Sequence, residues 1–354
     1  PPVRCGNCPG GGEVAGGDIM LDFTSCLYLG MNHPARQLRP WAQLTTGVPS
    51  ALAVTPAQRR VEAGLARLTG CEAAALGPST LHLLWDLFGL LKPQRTAILV
   101  DAGVYPIASW GVERAGARGA AVEVFAHHDA DALARAVQRH AGRGILVLAD
   151  GCCAGCGAPA PVADYLAIAQ QRDGLLVLDD TQALGILGRA PSAQQPMGSG
   201  GGGTLARLAV GHPQILVVSS LAKGFGVPVA VLGGGCARIE RFLSKSETRV
   251  HCSPPSIGHI HAAAHALALN RRHGDDLRQR LTHLIRVFRS SLGGLGLHAA
   301  GGIFPVQTLI CQCRTAALRL HHRLLRSGIR TVLRTIRCTG QAGISFVLTA
   351  RHTL

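Results

Sequence analysis

The strongest constraint on this chain is a recurrence of short, mostly apolar runs at residues 96–101, 120–125, 144–149, 174–178 and 215–218. Runs of this kind, with little polar alternation, read as strands buried on both faces. Amphipathic stretches at 129–140 and 162–172 separate some of them and read as helices. The alternation of strand and helix implies the α/β class, with a mostly parallel sheet. Upstream, Thr55-Pro56 opens a helix as N-cap and first residue, Val61, Leu65 and Leu68 form its apolar face, and Gly70 stops it. A short strand at 72–76 then runs through Gly77-Pro78-Ser79-Thr80 into an apolar helix at 81–91. A strand, a small-residue turn and a helix N-terminus together make an anion cradle.

In open parallel sheets, ligands sit at the carboxyl ends of the strands. Two such ends carry chemistry here. The run at 174–178 delivers Asp179-Asp180, and the run at 215–218 delivers Ser219-Ser220 and then Lys223, Gly224 and Gly226. Lysine is scarce, the others being Lys92 and Lys245. A lysine just behind a buried strand can act as an amine nucleophile, and the glycines after it let a ligand approach the backbone. Each feature has a plainer reading, a solvated strand-end lysine and a helix-capping acid pair. Together they form the pair that pyridoxal phosphate requires, an amine to hold its carbonyl carbon and a carboxylate to keep its ring nitrogen protonated.

At these residues the chain resembles the α-oxoamine synthases, a group of fold-type I pyridoxal-phosphate enzymes. The resemblance runs from Asp22 to about Ala350. It is carried by Asp22-Phe23-Thr24-Ser25 with Tyr28-Leu29-Gly30, by the segment 176–188, and by Ser220-Leu221-Ala222-Lys223-Gly224-Phe225-Gly226. It implies pyridoxal 5'-phosphate as cofactor and a homodimer with its active sites at the subunit interface. It also implies substrates that are an amino acid and an acyl-coenzyme A or acyl-carrier-protein thioester. Position by position, Lys223 would hold the cofactor and Asp179 would pair with its ring nitrogen. Tyr105 would stack on the ring where the family usually has histidine. Ser79, Thr80, Leu81 and Ser220 fall on the phosphate site, and Ser253 falls where a neighbouring subunit reaches that phosphate.

Several positions depart from the family. Gln182 stands where a histidine bonds the cofactor's phenolic oxygen, and an amide donates a hydrogen bond without acting as an acid or base. Cys26 replaces a substrate-contacting asparagine, and Ala154 replaces a serine. Ser345 stands where an arginine takes the amino acid carboxylate, while Arg334 aligns with a second family arginine after a one-residue gap. The cofactor half of the site is kept and the substrate half is rewritten.

Composition narrows the setting. Lysine and arginine number 35 against 20 acids, for a net charge of +15. That suits an acidic ligand such as coenzyme A or an acidic carrier. Aromatics are 4% and the arginines are scattered, so no base-stacking platform is visible and nucleic acid is the weaker partner. No apolar run is long enough to span a bilayer. The twelve cysteines read as reduced thiols in the cytoplasm. Two CxxC pairs, Cys5/Cys8 and Cys153/Cys156, lie too far apart in sequence for the usual zinc module, and no metal is assigned. Residues 1–40 read as an arm, 41–240 as a large cofactor-binding domain and 241–354 as a smaller α+β domain with helices at 256–272 and 277–292. The chain opens without an initiator Met and ends soon after its last strand, so it reads as trimmed or part of a longer polypeptide.

The leading function is a decarboxylative condensation of an amino acid with an acyl thioester to give an α-amino ketone. The alternatives are transamination or an aldol-type step on the same scaffold, and a degenerate member that binds cofactor without turnover.

Overall fold

The computed structural model describes residues 20–353, so the Cys5/Cys8 pair lies outside the described residues. A two-residue strand, β1 (Leu21–Asp22), is followed by seven strands that form the main sheet. These are β2 (Ala73–Gly77), β3 (Thr96–Asp101), β4 (Ala121–Phe125), β5 (Gly144–Asp150), β6 (Leu175–Asp179), β7 (Ile215–Ser220) and β8 (Ala230–Gly234). Their spatial order is β2-β8-β7-β6-β5-β3-β4. The five strands from β7 to β4 are parallel. β8 runs against both β7 and β2, so β2 points the same way as the parallel set.

The sheet is mixed but mostly parallel, as the apolar runs imply. β8 escaped the sequence reading because Pro228 and three successive glycines from Gly233 bracket its short apolar core. Both faces are covered. Leu84, Phe88 and Val112 pack with Ile98 and Leu148 on one side, and Leu133, Val137 and Tyr165 pack with Leu99 and Val147 on the other. Each such aliphatic side chain, fully buried, contributes about 1.5–3 kcal/mol.

The helix Pro56–Thr69 starts as its sequence demands. The Thr55 side chain accepts from the Gln58 amide, and Gly70 closes the helix at φ 79°. The two helices expected at 256–272 and 277–292 are instead one helix, Ile257–Gly294. Gly274, between the two expected helices, is there for close packing. A Cβ on it would come within 2.3 Å of the Asn270 side chain and 2.8 Å of Arg278. Arg278 is buried, and donates to the Gly185 carbonyl at 2.8 Å and to Asn270 at 2.9 Å. This network ties the long helix to the loop that follows β6.

The remaining strands are β9 (Ala299–Ala300), β10 (Val306–Ile310), β11 (Ile329–Arg330), β12 (Val332–Thr335) and β13 (Ala342–Val347). Four of them form an antiparallel sheet in the order β12-β13-β10-β9, and β11 pairs in parallel with β1. The early segment belongs with this second sheet. The Val347 amide donates to the Phe23 carbonyl, and the Ala350 amide donates to the Tyr28 carbonyl.

Candidate active site

Three neighbouring parallel strands end at one level, and their last residues gather at one edge. Asp150 on β5 lies directly beside Asp179 on β6. β7 ends in Ser220, and Lys223 follows in the next turn. These ends, with Thr80, Tyr105 and Gln182, line a cavity of about 170 Å³.

Two carboxylates face this cavity, Asp179 buried and Asp150 half-buried. Burial raises Asp179 above the usual carboxylate range, while hydrogen bonds from Thr181, including its amide at 3.0 Å, and the charge of Lys223 oppose the rise. Burial and then the neighbouring Asp179 raise Asp150 well above that range, and the Tyr105 amide at 3.2 Å relieves it only in part. Two adjacent carboxylates drawn largely out of water do not both ionise. Asp150 keeps the proton because it has the weaker partners, which leaves Asp179 as the anion facing the cavity. Asp150 carries no motif of its own. Its signal in the sequence was only an aspartate ending an apolar strand, as Asp179 ends the next.

Asp180, the second acid of the pair, points away from this chemistry. It is buried and accepts from the backbone and hydroxyl of Thr204. Gly151 and Gly203 allow that fit, since a Cβ on either would meet an Asp180 oxygen within 2.2 Å.

Gln182 is oriented from behind. The hydroxyl of buried Tyr28 donates to its Oε1 at 2.7 Å. With the oxygen engaged, the amide NH2 is the donor left for the cavity. At the mouth, Lys223 Nζ lies 5.6 Å from the centre of the Tyr105 ring and Arg337 Cζ lies 5.9 Å from it. Arg337 also donates to the Val104 carbonyl at 2.6 Å. The sequence reading passed over Arg337. It sits in a turn between two weak strands, and only the fold brings that turn to the edge of the large sheet.

The other expected residues are dispersed. Ser79 caps the helix Thr80–Gly89 by position, but its hydroxyl bonds His82 at 2.8 Å. Thr80 faces the cavity, and Leu81 lies in the first helical turn, where amides lack intrahelical acceptors. Ser220 lines the cavity and its hydroxyl accepts from the Ala222 amide at 3.2 Å. Ser253 lines a separate small pocket with Gly77 and Pro78, behind the turn at the end of β2. Cys26 is exposed, in the segment just ahead of Tyr28. Arg334 lies on β12, near enough to Tyr28 to act on its hydroxyl electrostatically. Ser345 is buried in the second sheet and bonded to Thr308 at 2.8 Å, so it faces neither cavity nor solvent.

The donor set fits pyridoxal phosphate. It comprises a lysine amine, a buried aspartate anion, an aromatic ring, and hydroxyls beside a helix N-terminus, all facing one cavity. A family model for class I and II aminotransferases matches residues 46–342. The chain belongs to that family. An 8-amino-7-oxononanoate synthase of Nitrosococcus oceani is 29% identical over 98% of this chain and 91% of its own length. That of Cronobacter sakazakii is 28% identical over 99% of this chain and 90% of its own. Among solved structures, a Sphingomonas wittichii serine palmitoyltransferase superposes with a TM-score of 0.80 at 18% identity, covering 94% of this chain and 83% of that one. The Francisella tularensis 8-amino-7-oxononanoate synthase gives a TM-score of 0.72 at 16% identity, covering 94% and 93%. The solved structures speak to the fold, which is that of fold-type I. The resemblance to α-oxoamine synthases is borne out: this is a pyridoxal-phosphate-dependent transferase with an acyltransferase function of the α-oxoamine synthase type.

Proposed function

We propose that the protein condenses an amino acid with an acyl thioester, releasing carbon dioxide and the free thiol and leaving an α-amino ketone. The observation that carries this reading is the convergence of Lys223, Asp179, Gln182 and Tyr105 on one cavity at the strand ends. Bound there, pyridoxal phosphate supplies an electron sink for a carbanion at the amino acid's α-carbon. Lys223 would hold the cofactor by its amine, and Asp179 would hold the positive charge of the ring nitrogen. Thr80, Ser220 and the first-turn amides of the helix Thr80–Gly89 would bind the phosphate. Gln182, fixed by Tyr28, donates a hydrogen bond but moves no proton, so Nζ of Lys223 carries the proton at the α-carbon. Arg337 supplies the guanidinium for the amino acid carboxylate, in place of Ser345.

We read the working unit as a homodimer in a reducing compartment such as the cytoplasm. Ser253 does not reach the cavity of its own chain, and the family resemblance has it serve the neighbouring subunit. Ten cysteines among the described residues are free. Light scattering at micromolar concentration should give twice the chain mass, and a single chain mass would remove the dimer.

The decisive assay mixes protein, cofactor, an amino acid panel and an acyl thioester, and measures thiol release. Thiol release that needs both substrates is expected, with turnover falling about 10³-fold or more in Lys223→Ala. Amino-group exchange with an oxo acid but no thiol release would mark a transaminase. Cofactor binding without either activity would mark a binding protein.

A further inference from the structure

A second cluster lies away from the cavity lining and uses the CxxC pair whose role the sequence left open. Cys153 and Cys156 follow β5, His127 follows β4, and Cys338 sits in the turn between β12 and β13. Their ligand atoms all lie within 4.8 Å of one another. Cys156 Sγ is 3.7 Å from His127 Nε2. With metal–ligand bonds of about 2.3 Å to sulfur and about 2.0–2.1 Å to nitrogen, the edges of a zinc tetrahedron are about 3.6–3.8 Å. The cluster is therefore the size of one tetrahedral ion, and too tight for thiolates that straddle an iron–sulfur core.

The surroundings have the form of a metal site. Asp101 accepts from His127 Nδ1 at 2.6 Å, which leaves Nε2 as the lone-pair nitrogen facing the sulfurs. A carboxylate behind a histidine in this way is the usual support of a zinc ligand. Asp101 is itself held by the Gly103 amide at 2.7 Å and the Tyr165 hydroxyl at 2.9 Å, so the imidazole has a fixed backing. The Gly155 amide donates to Cys153 Sγ at 3.3 Å, as amides inside CxxC knuckles do to bound thiolates. Gly155 must be glycine, since a Cβ there would come within 2.7 Å of Cys338 Sγ and 3.3 Å of Cys153 Sγ. Gly157 closes the knuckle at φ 73°.

We propose that His127, Cys153, Cys156 and Cys338 form a four-coordinate structural site for one zinc ion, which pins the β12–β13 turn to the large sheet. Three thiolates and one neutral imidazole suit zinc, and a fully protein-ligated ion leaves no position open for catalysis. Its consequence is local. Cys338 is the next residue after Arg337, so the ion would fix the arginine that reaches Val104 and the Tyr105 ring. This revises the assignment of no metal, because two of the four ligands come from parts of the chain that no short spacing links to the CxxC pair.

The test is metal content. Protein purified under reducing conditions without a metal-affinity step, given zinc sulfate and then desalted, should hold about one zinc per chain by mass spectrometry. Cys156→Ser and Cys338→Ser should each fall below about a fifth of that, while Cys236→Ser, at a thiol outside the cluster, should keep it. Should the cluster variants fail to fold, cobalt titration of the wild-type chain decides the matter, with intense thiolate-to-cobalt absorption at about one equivalent expected. Wild-type protein with under about a tenth of a zinc and no such absorption would overturn the proposal. So would a Cys153–Cys156 disulfide in the reduced preparation, or full zinc in folded Cys156→Ser.

Discussion

The two sides of the cavity differ in how they are built. The floor consists of the ends of parallel strands, where Asp150, Asp179 and Ser220 hold their places by backbone register. The mouth is a turn of the second sheet that brings Arg337 across to Val104, far from it in sequence. Floor residues cannot shift without disturbing a core whose strands are buried on both faces. Mouth residues depend on contacts between two sheets, so their chemistry can be changed at little cost to the fold. The floor accordingly holds Lys223 and Asp179, while the mouth is set by Arg337 beside the Tyr105 ring.

The sharpest test of the floor is Asp179→Asn. Loss of the buried anion that we propose holds the ring nitrogen should lower turnover about 10²-fold or more with the fold intact by circular dichroism. A loss under tenfold would mean that Asp150 can take over its role. At the mouth, Arg337→Gln should raise KM for the amino acid about tenfold or more, as expected for a hydrogen bond to a charged group worth about 1.5–3 kcal/mol, and change kcat less. Ser345→Ala should leave KM within about twofold, since its hydroxyl is spent on Thr308. The reverse ranking would return the carboxylate to the Ser345 position.

Tyr28→Phe tests the link between the two sides. It removes the donor that orients Gln182 and should lower kcat about fivefold, for about 1 kcal/mol. If turnover is unchanged, Gln182 does not need that support.

A separate prediction concerns stability rather than turnover. Burial pushes Asp180 from its ordinary value near 3.8 to about 7, against the opposing bonds from Thr204 and with help from the Asp179 charge. The unfolded chain ionises this group first. Its penalty is therefore absent below about pH 4, grows as pH rises to about 7, and is constant above that. Urea midpoints of the cofactor-free protein should fall with rising pH across this window, and the slope should be shallower in Asp180→Asn. Equal slopes in the two proteins would show that other groups set the pH response.

Particular residues show how far sequence reading reaches. Lys223 and Asp179 were legible because each follows an apolar run that has only one sensible fold, so the strand end and its chemistry are both local facts. Thr55 and Gly70 were legible for the same reason, as local caps. Gly274 lies between the two expected helices, and its task of admitting the Asn270 and Arg278 side chains is a tertiary fact that no local pattern records. β8 was hidden by the proline and glycines around it.

By itself the sequence determined the α/β pattern, the strand ends that carry Lys223 and Asp179, and the resemblance to α-oxoamine synthases, because all of these are written in neighbouring residues. The tertiary structure decided that Asp150 lies beside Asp179, that Tyr28 orients Gln182, that Arg337 rather than Ser345 stands at the mouth, and that His127 and Cys338 join the CxxC knuckle. Each of these is a meeting of side chains distant along the chain, brought about by strand register and by the packing of two sheets, and no local spacing encodes it.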